Sequence, residues 1–228
     1  MDQAIKVGLM VPINNTTFEV ELLRWLPQGS KCTTLRIPRG KGLLTKETLP
    51  AYRAQALSLA EQFKDMDIDV MAYGCTAAGF ISGPAADAEL GREFARITGK
   101  PVVTTARSMV IELQQVHAKN IALVTPYMDE VNDQLKAFLK DGGIGVRRFA
   151  SFYAKTVDIL GCISSDEVAR LARETMDDGC DALFVACAQL PTHAILDELS
   201  KEFGRPVQSS IWATSRQALL TVNKQGVR

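Results

Sequence analysis

The 228-residue sequence lacks an excess of charge of either sign and lacks any long hydrophobic run. Its 26 basic and 26 acidic residues cancel, so no basic field is present to bind a nucleic-acid backbone or an anionic membrane surface. The first apolar segment, Ile5 to Val11, is too short to span a membrane and has no small-residue cleavage site after it. We therefore expect a cytoplasmic protein with neither a nucleic-acid nor a membrane partner.

Cysteine pairs at short spacing are also lacking. The chain has five cysteines, an odd number, and none of them forms a C-x-x-C pair. They are Cys32, Cys75, Cys162, Cys180 and Cys187. This pattern suggests neither a disulfide framework nor a zinc site. The sequence shows no spacing typical of metal ligands and no nucleotide fingerprint, so we expect no metal and no cofactor.

Short β-rich apolar runs alternate with longer segments of helical period, which is typical of βα units around a parallel sheet. The best helices are predicted at Leu49–Lys64 and at Ser165–Met176, the second with Ser165 as N-cap. The predicted strands are Ile5–Val11, Cys32–Ile37, Val70–Tyr73, Val102–Thr104, Asn120–Val124, Val146–Ala150, Ala182–Ala186 and Val207–Ser209. The pattern predicts an α/β fold.

An internal repeat divides the chain into two similar halves. The segment Asp69–Cys75 aligns with Asp181–Cys187, so that Cys75 and Cys187 are counterparts. Two further pairs of segments align in the same order: Val11-Pro12 with Thr125-Pro126, and Lys100–Val102 with Arg205–Val207. We therefore expect two pseudo-symmetric parallel-sheet halves, with the ligand site in the cleft where the carboxyl ends of their strands meet.

The two repeated cysteines are the leading candidates for catalysis. Each follows a hydrophobic strand that ends in a small residue, Gly74 or Ala186, and each precedes a helical segment. Backbone N–H groups at such a position lower the pKa of a thiol and favour the nucleophilic thiolate. A single buried cysteine is commonly only a small hydrophobic residue. Two at equivalent strand ends converge on one cleft, which indicates a catalytic pair.

Four segments in register resemble a known family. They are Val11–Glu19, Gly74–Thr76, Thr125–Tyr127 and Ala186–Pro191. Together they resemble the maleate cis–trans isomerase and arylmalonate decarboxylase group of the aspartate/glutamate racemase superfamily. The resemblance implies that the strands beginning near Lys100 and Arg205 cross over between the halves. It divides the chain into one lobe of residues 1–98 plus 206–228 and another of residues 99–205.

The resemblance also implies roles for the site residues. By this resemblance, Cys75 is the nucleophile or base and Cys187 is the opposing acid. Asn15 becomes a clamp for a substrate carboxylate, and Tyr127 donates its hydroxyl to that carboxylate. Thr76 adds a hydroxyl and a backbone N–H, and Ala188 completes the substrate-binding set. Uncharged donors of this kind stabilise negative charge as it develops, which is the principle of an oxyanion hole.

Some residues depart from the family pattern, and these departures bear on which of the family's reactions the chain is expected to catalyse. The related decarboxylases have glycine in place of the first cysteine, whereas this chain has both thiols. The isomerases place an asparagine a few residues before a glycine, where this chain has Thr156–Asp158 before Gly161. A small basic loop contains Arg36, Arg39 and Lys41, any one of which is able to guide an anionic substrate.

The sequence thus predicts a cofactor-independent isomerase acting on a small dicarboxylate, resembling maleate isomerase. The alternative is a two-thiol racemase of the aspartate/glutamate type, in which one cysteine removes an α-proton and the other returns one. An arylmalonate-type decarboxylase and a non-catalytic small-molecule binding protein are less favoured. The oligomeric state stays open, with a homodimer as one option.

Overall fold

The computed structural model describes residues 3–39 and 42–225, so Lys41 of the basic loop lies outside the described residues. The strands are β1 Lys6–Pro12, β2 Lys31–Ile37, β3 Val70–Tyr73, β4 Val102–Thr104, β5 Asn120–Thr125, β6 Gly145–Ser151, β7 Ala182–Val185 and β8 Val207–Ser209. The helices are α1 Phe18–Trp25, α2 Leu49–Ala60, α3 Thr76–Ser82, α4 Pro84–Thr98, α5 Thr105–Gln115, α6 Asp129–Asp141, α7 Val157–Gly161, α8 Ser165–Thr175, α9 Leu196–Phe203 and α10 Ser210–Gln225. Across the described ranges, no helix is both long and apolar enough to cross a bilayer.

The strands form two parallel sheets with the same internal order. The first sheet has the order β2-β1-β3-β4 and the second the order β6-β5-β7-β8. All the pairings between neighbouring strands in both sheets are parallel. The identical orders confirm the predicted α/β fold of two similar parallel-sheet halves.

The strands that lead to the two repeated cysteines are inner strands of their sheets. Every residue of β3 and of β7 is buried. Continuous apolar runs of this kind are typical of parallel strands that are covered by helices on both faces. Because both strands are inside a sheet, the residue that follows each of them is held at a fixed position at the carboxyl edge.

The ends of two predicted helices differ from the structure. The N-cap of α8 is Ser164 rather than Ser165, and Ser164 forms a capping box with Glu167, in which each side chain bonds the other residue's backbone N–H. The helix α2 ends at Ala60, and a 3₁₀ turn, Glu61–Phe63, continues it. Tightening of the last turn in this way satisfies carbonyl groups that an α-helix leaves free at its end.

The predicted crossing of two strands between the halves is wrong. Strand β4, which begins after Lys100, pairs with β3 in the first sheet, and β8, which begins after Arg205, pairs with β7 in the second. The reason is that each of these strands follows a short connection after a helix and returns to the free edge beside the strand before that helix, as consecutive βαβ units do. The remainder of the division into lobes 1–98 plus 206–228 and 99–205 stays a prediction.

The helices that follow β4 and β8 pack on each other and join the halves. The helix α10 lies against α5 and also against α1 of the first half. The hydroxyl of Thr214 donates to that of Thr105 at 3.0 Å, and the side-chain amide of Gln217 donates to the buried carboxylate of Glu112 at 2.6 Å. These contacts hold the two sheets in one fixed arrangement around the cleft between them.

Candidate active site

Cys75 follows β3 and is the N-cap residue of α3, and Cys187 follows β7 after Ala186. Glycine is required immediately before Cys75, because a Cβ atom on Gly74 would lie 2.7 Å from Cγ1 of Val11 and 2.8 Å from the ring of Phe18. The main chain thus passes close to the first helix at this point. Both thiols are buried.

The ends of the two strands are held by hydroxyl groups at equivalent places. The hydroxyl of Thr105, which begins α5, donates to the backbone carbonyl of Tyr73 at 3.0 Å. The backbone N–H of Cys187 donates to the hydroxyl of Ser210, which begins α10, at 3.1 Å. The helices that join the halves therefore also fix the positions from which the two cysteines project.

Both thiols line a single cavity with a volume of about 60 Å³. Sites for drug-sized ligands are several hundred Å³ in volume, so this cavity suits only a small ligand. All the residues predicted for the site line this cavity, although their roles stay a prediction. These residues are Asn15, Cys75, Thr76, Tyr127, Cys187 and Ala188.

Asn15 connects the two halves at the cavity. Its side-chain amide donates to the backbone carbonyl of Ala188 at 2.8 Å, while its side-chain oxygen accepts from the backbone N–H groups of Thr17 and Phe18 at the start of α1. An asparagine amide has two N–H bonds, so one donor remains for a ligand in the cavity. The contribution of Ala188 to this contact is its backbone carbonyl.

Gln189 forms a second connection between the two halves. It belongs to the segment Ala186–Pro191 that resembles the family, but the sequence alone does not show what its side chain binds. Its side-chain oxygen accepts from the backbone N–H of Thr16 at 3.1 Å, and its side-chain nitrogen donates to the Thr16 hydroxyl at 3.0 Å. The hydroxyl of Thr17 donates to the backbone carbonyl of Gln189 at 2.9 Å. The loop after Cys187 is therefore bonded along its length to the first loop of the chain.

The backbone at Cys187 is unusual. Its φ angle is +150°, in a region that residues other than glycine rarely adopt and that often marks active sites. The backbone N–H of Gln189 lies 3.4 Å from its sulfur. The surrounding hydrogen bonds hold this conformation, which points to a functional reason for the position of the thiol.

Burial raises the pKa of both thiols, but their neighbours differ. The pKa of Cys187 is raised to about 11, mainly by burial, and the backbone N–H of Gln189 and the hydroxyl of Tyr127 oppose that rise. The pKa of Cys75 is also raised by burial, and the backbone N–H of Ala78, the Tyr52 hydroxyl and the Arg39 charge oppose it. The Arg39 cation therefore favours the thiolate at Cys75, whereas the groups that favour the thiolate at Cys187 are uncharged hydrogen-bond donors.

Two hydroxyl groups at the site have no hydrogen-bond partner within the described ranges. They belong to Thr76 and to Tyr52, and both are buried. Thr76 lines the cavity directly after the first thiol. Tyr52 lies on α2 and acts on Cys75 by favouring its thiolate. Buried unpaired hydroxyls are rare in proteins, so their presence here indicates groups reserved for a ligand or for the thiolate.

Contacts with neighbouring residues fix both the backbone and the ring of Tyr127. Its carbonyl accepts hydrogen bonds from Asn132 at 2.7 Å and from Ser151 at 2.6 Å. Its ring packs edge-on against Phe80, with the ring centroids 5.5 Å apart. Burial raises the pKa of the Tyr127 hydroxyl well above its usual value, so the hydroxyl keeps its proton and acts as a hydrogen-bond donor.

The remaining wall of the cavity is mostly apolar, and sequence reasoning missed these residues. They are Leu43, Leu44, Val131, Val157 and Leu160. The segment Thr156–Asp158 stands where the related isomerases are expected to have an asparagine, and of its three residues only Val157 lines the cavity. Thr156 caps α7 with its hydroxyl, and Asp158 is exposed. This part of the wall therefore supplies no polar contact to a ligand.

The other three cysteines do not line the cavity. Cys180 is buried and Cys32 is partly buried, so both serve as packing residues. Cys162 is exposed and follows the end of α7.

Comparisons with known proteins place the chain among enzymes. The sequence profile of the arylmalonate decarboxylase family matches residues 37–227. The maleate isomerase of Nocardia farcinica is 25% identical over 226 residues, covering 96% of this chain and 90% of that protein. The maleate isomerase of Geobacillus stearothermophilus is also 25% identical, over 235 residues, covering 98% of this chain and 94% of that protein.

A solved structure shows the same fold. It is a cysteine-to-serine mutant of the Nocardia farcinica maleate cis–trans isomerase with a covalently bound succinylcysteine intermediate. It matches with a TM-score of 0.88 and 26% identity, and the match covers 97% of this chain and 94% of that chain.

The family match covers most of the chain, including both repeated cysteines, Thr76 and Tyr127. Asn15 precedes the matched range, but the fold places it in the lining of the same cavity. The resemblance that the sequence predicted is therefore confirmed: the chain belongs to the arylmalonate decarboxylase family.

Proposed function

We propose that this protein is a cofactor-independent maleate cis–trans isomerase. One observation carries the proposal: two thiols at equivalent strand ends line the same small cavity, and the charge of Arg39 favours the thiolate at Cys75. Relatives along nearly the whole chain are named maleate isomerase. They support the isomerase predicted from the sequence over the racemase alternative.

The reaction begins with covalent addition. The thiolate of Cys75 attacks one alkene carbon of maleate and forms a carbon–sulfur bond, while the π electrons move to the adjacent carbon and its carboxylate. The thiol of Cys187 gives its proton to that adjacent carbon. The product of these two transfers is a succinyl group bound to Cys75, with Cys187 now a thiolate. The solved structure with a succinylcysteine intermediate supports this route.

The second half of the reaction reverses the first after a rotation. The former double bond is now a single bond and rotates. The thiolate of Cys187 takes a proton back, the double bond re-forms in the trans geometry, and the carbon–sulfur bond breaks. Both cysteines return to their initial protonation states, so the cycle needs no external proton and no oxidant.

The polar lining of the cavity suits the charge that develops on the carboxylate. The free N–H of Asn15, the hydroxyl of Tyr127 and the unpaired hydroxyl of Thr76 are hydrogen-bond donors on this surface. Donors that are fixed before the reaction stabilise an enediolate without having to reorient. The hydrogen bonds that fix Asn15 and the Tyr127 carbonyl provide that rigidity.

The small cavity supports a small dicarboxylate as the ligand. The balanced charge of the chain supports an enzyme that does not bind nucleic acid, and a cytoplasmic location stays a prediction. A homodimer stays a prediction.

Independence from cofactors rests on the chemistry itself, because the chain supplies both the nucleophile and the acid. Extensive dialysis against a metal chelator should therefore leave the activity unchanged, and recovery only after addition of a metal or of pyridoxal phosphate would contradict the mechanism.

The reaction is tested by incubating the purified protein with candidate substrates in deuterated buffer and following each by NMR. The substrates are maleate, aspartate, glutamate and an arylmalonate. We expect conversion of the alkene signal of maleate to that of its trans isomer. Deuterium exchange at the α-carbon of an amino acid would instead support a racemase, and loss of carbon dioxide from the arylmalonate would support a decarboxylase.

A further inference from the structure

One cationic side chain, Arg39, reaches the cavity that contains both thiols. It is the only lysine or arginine among the lining residues in the part of the chain that the structure describes. It lies between β2 and α2 and is partly buried. It lines the cavity together with Cys75, and its charge lowers the pKa of both the Cys75 thiol and the Tyr52 hydroxyl against the rise that burial causes.

The charge of Arg39 is not neutralised by a carboxylate in the described residues. Its guanidinium donates to the backbone carbonyl of Gly42 at 2.5 Å, and it forms no ion pair with Asp or Glu there. Arg36, on the preceding strand β2, is different: it donates to the carbonyl of Asn15 and pairs with Glu19 at 3.4 Å. Arg39 therefore retains positive charge and donor capacity for a ligand, whereas Arg36 is occupied by the protein.

The proposed reaction needs such a charge. A substrate with two carboxylates, next to the thiolate of Cys75, brings three negative charges into a small and largely apolar space. Buried charges without partners are strongly unfavourable. The other donors of the cavity, Asn15, Thr76 and Tyr127, are uncharged. Val157, which also lines the cavity, has an apolar side chain.

We infer that Arg39 binds the second carboxylate of the substrate and makes the site selective for dicarboxylates over their monoamides. This inference rests on the proposed isomerase function and adds the group that sets its substrate class. The planar guanidinium is suited to a carboxylate because it forms two parallel hydrogen bonds with it. Arg39 then compensates for the asparagine that is expected near Gly161 and absent from this chain.

The same charge links substrate binding to the nucleophile. The titratable side chains that interact with Cys75 are Arg39, Tyr52, Tyr73, Tyr127 and Cys187. Only Arg39 in this set carries a positive charge. Its loss should therefore raise the pKa of Cys75 and slow alkylation of this thiol at a given pH, in addition to weakening the binding of a dianion.

The test compares maleate with maleamate, in which one carboxylate is an amide. The variants are Arg39→Gln, Arg39→Lys and a control, Lys46→Gln, which removes an exposed positive charge from the same connection outside the cavity. We expect Arg39→Gln to lower kcat/KM for maleate about 10- to 100-fold, the scale of a hydrogen bond to a charged group. The kcat/KM for maleamate should fall much less, Arg39→Lys should retain part of the preference, and the control should resemble the wild type. Equal losses for both substrates, or no loss for either, would overturn the inference.

A binding measurement separates this inference from the proposed function. If the wild-type protein does not isomerise maleate, the proposed function fails, and protection of Cys75 from iodoacetamide still tests Arg39. Succinate should protect Cys75 better than succinamate in the wild type, and Arg39→Gln should lose that preference. Equal protection by the two compounds in the wild type would show that Arg39 does not recognise a second carboxylate.

Discussion

The side-chain amide of Asn15 donates a hydrogen bond to the backbone carbonyl of Ala188 at 2.8 Å, joining the first loop of the chain to the loop after the second thiol. Thr16 and Thr17 extend the connection through hydrogen bonds with Gln189. The cavity is therefore formed by both halves of the repeat, and neither half contains a complete site.

The first prediction concerns Asn15. Replacement Asn15→Asp keeps the acceptor for the start of α1 but removes the amide donors and introduces negative charge where an anionic substrate binds. We expect kcat/KM for maleate to fall at least about tenfold, which corresponds to roughly 1.4 kcal/mol. The matched control is Thr17→Ala, which weakens the same connection between loops but does not line the cavity. If Thr17→Ala lowers activity as much as Asn15→Asp, Asn15 acts only by holding the loops.

The second prediction is that both cavity thiols are required. Cys75→Ser and Cys187→Ser should each lower kcat by at least about 100-fold, the usual scale for the loss of a nucleophile or a general acid. Cys180→Ser is the control, because Cys180 is buried outside the cavity and bonds Asp177. Steady-state kinetics of the three purified variants provides the measurement, and full activity in either of the first two would remove that cysteine from the catalytic pair.

The third prediction distinguishes the protonation states of the two thiols. Burial raises the pKa of Cys187 to about 11, whereas the Arg39 charge and the Tyr52 hydroxyl favour the thiolate of Cys75. Of the two cavity thiols, iodoacetamide should therefore label Cys75 before Cys187. The Tyr52 hydroxyl lowers the pKa of Cys75, so Tyr52→Phe should raise that pKa and shift the rise of the alkylation rate to higher pH. Peptide mass spectrometry over a pH series measures both effects. Preferential labelling of Cys187 would exchange the roles of nucleophile and acid.

The fold and the catalytic pair were predictable because their signals are local. A short apolar run followed at once by a cysteine, repeated once along the chain, indicates a buried parallel strand and the residue at its carboxyl end. Such a residue reaches the same edge of the sheet whatever lies elsewhere. The sequence alone therefore predicted that Cys75 and Cys187 lie in one cleft.

The rest of the site depends on packing between distant segments, which a sequence pattern does not contain. Tyr52 lies on a helix well before Cys75, and only the packing of that helix shows that its hydroxyl acts on the thiol. Gln189 was visible in a motif, but its bonds to Thr16 require both loops. The crossing expected for β4 and β8 was wrong for the same reason, because strand pairing is decided by which sheet edge is free.

The last prediction concerns the tight packing before the first thiol. In Gly74→Ala, the added methyl would meet Val11 at 2.7 Å and Phe18 at 2.8 Å, both of them buried. Overpacking of this kind lowers the free energy of unfolding by about 1–3 kcal/mol, and it should also displace Cys75 and reduce activity. The matched control is Gly91→Ala in the interior of α4, where the nearest atom is Cγ2 of Thr104 at 3.7 Å. There the substitution meets no obstacle and should stabilise the protein by up to about 1 kcal/mol through helix propensity. Urea unfolding of both variants measures the difference, and equal stabilities would show that the main chain at Gly74 shifts easily and does not fix the position of the nucleophile.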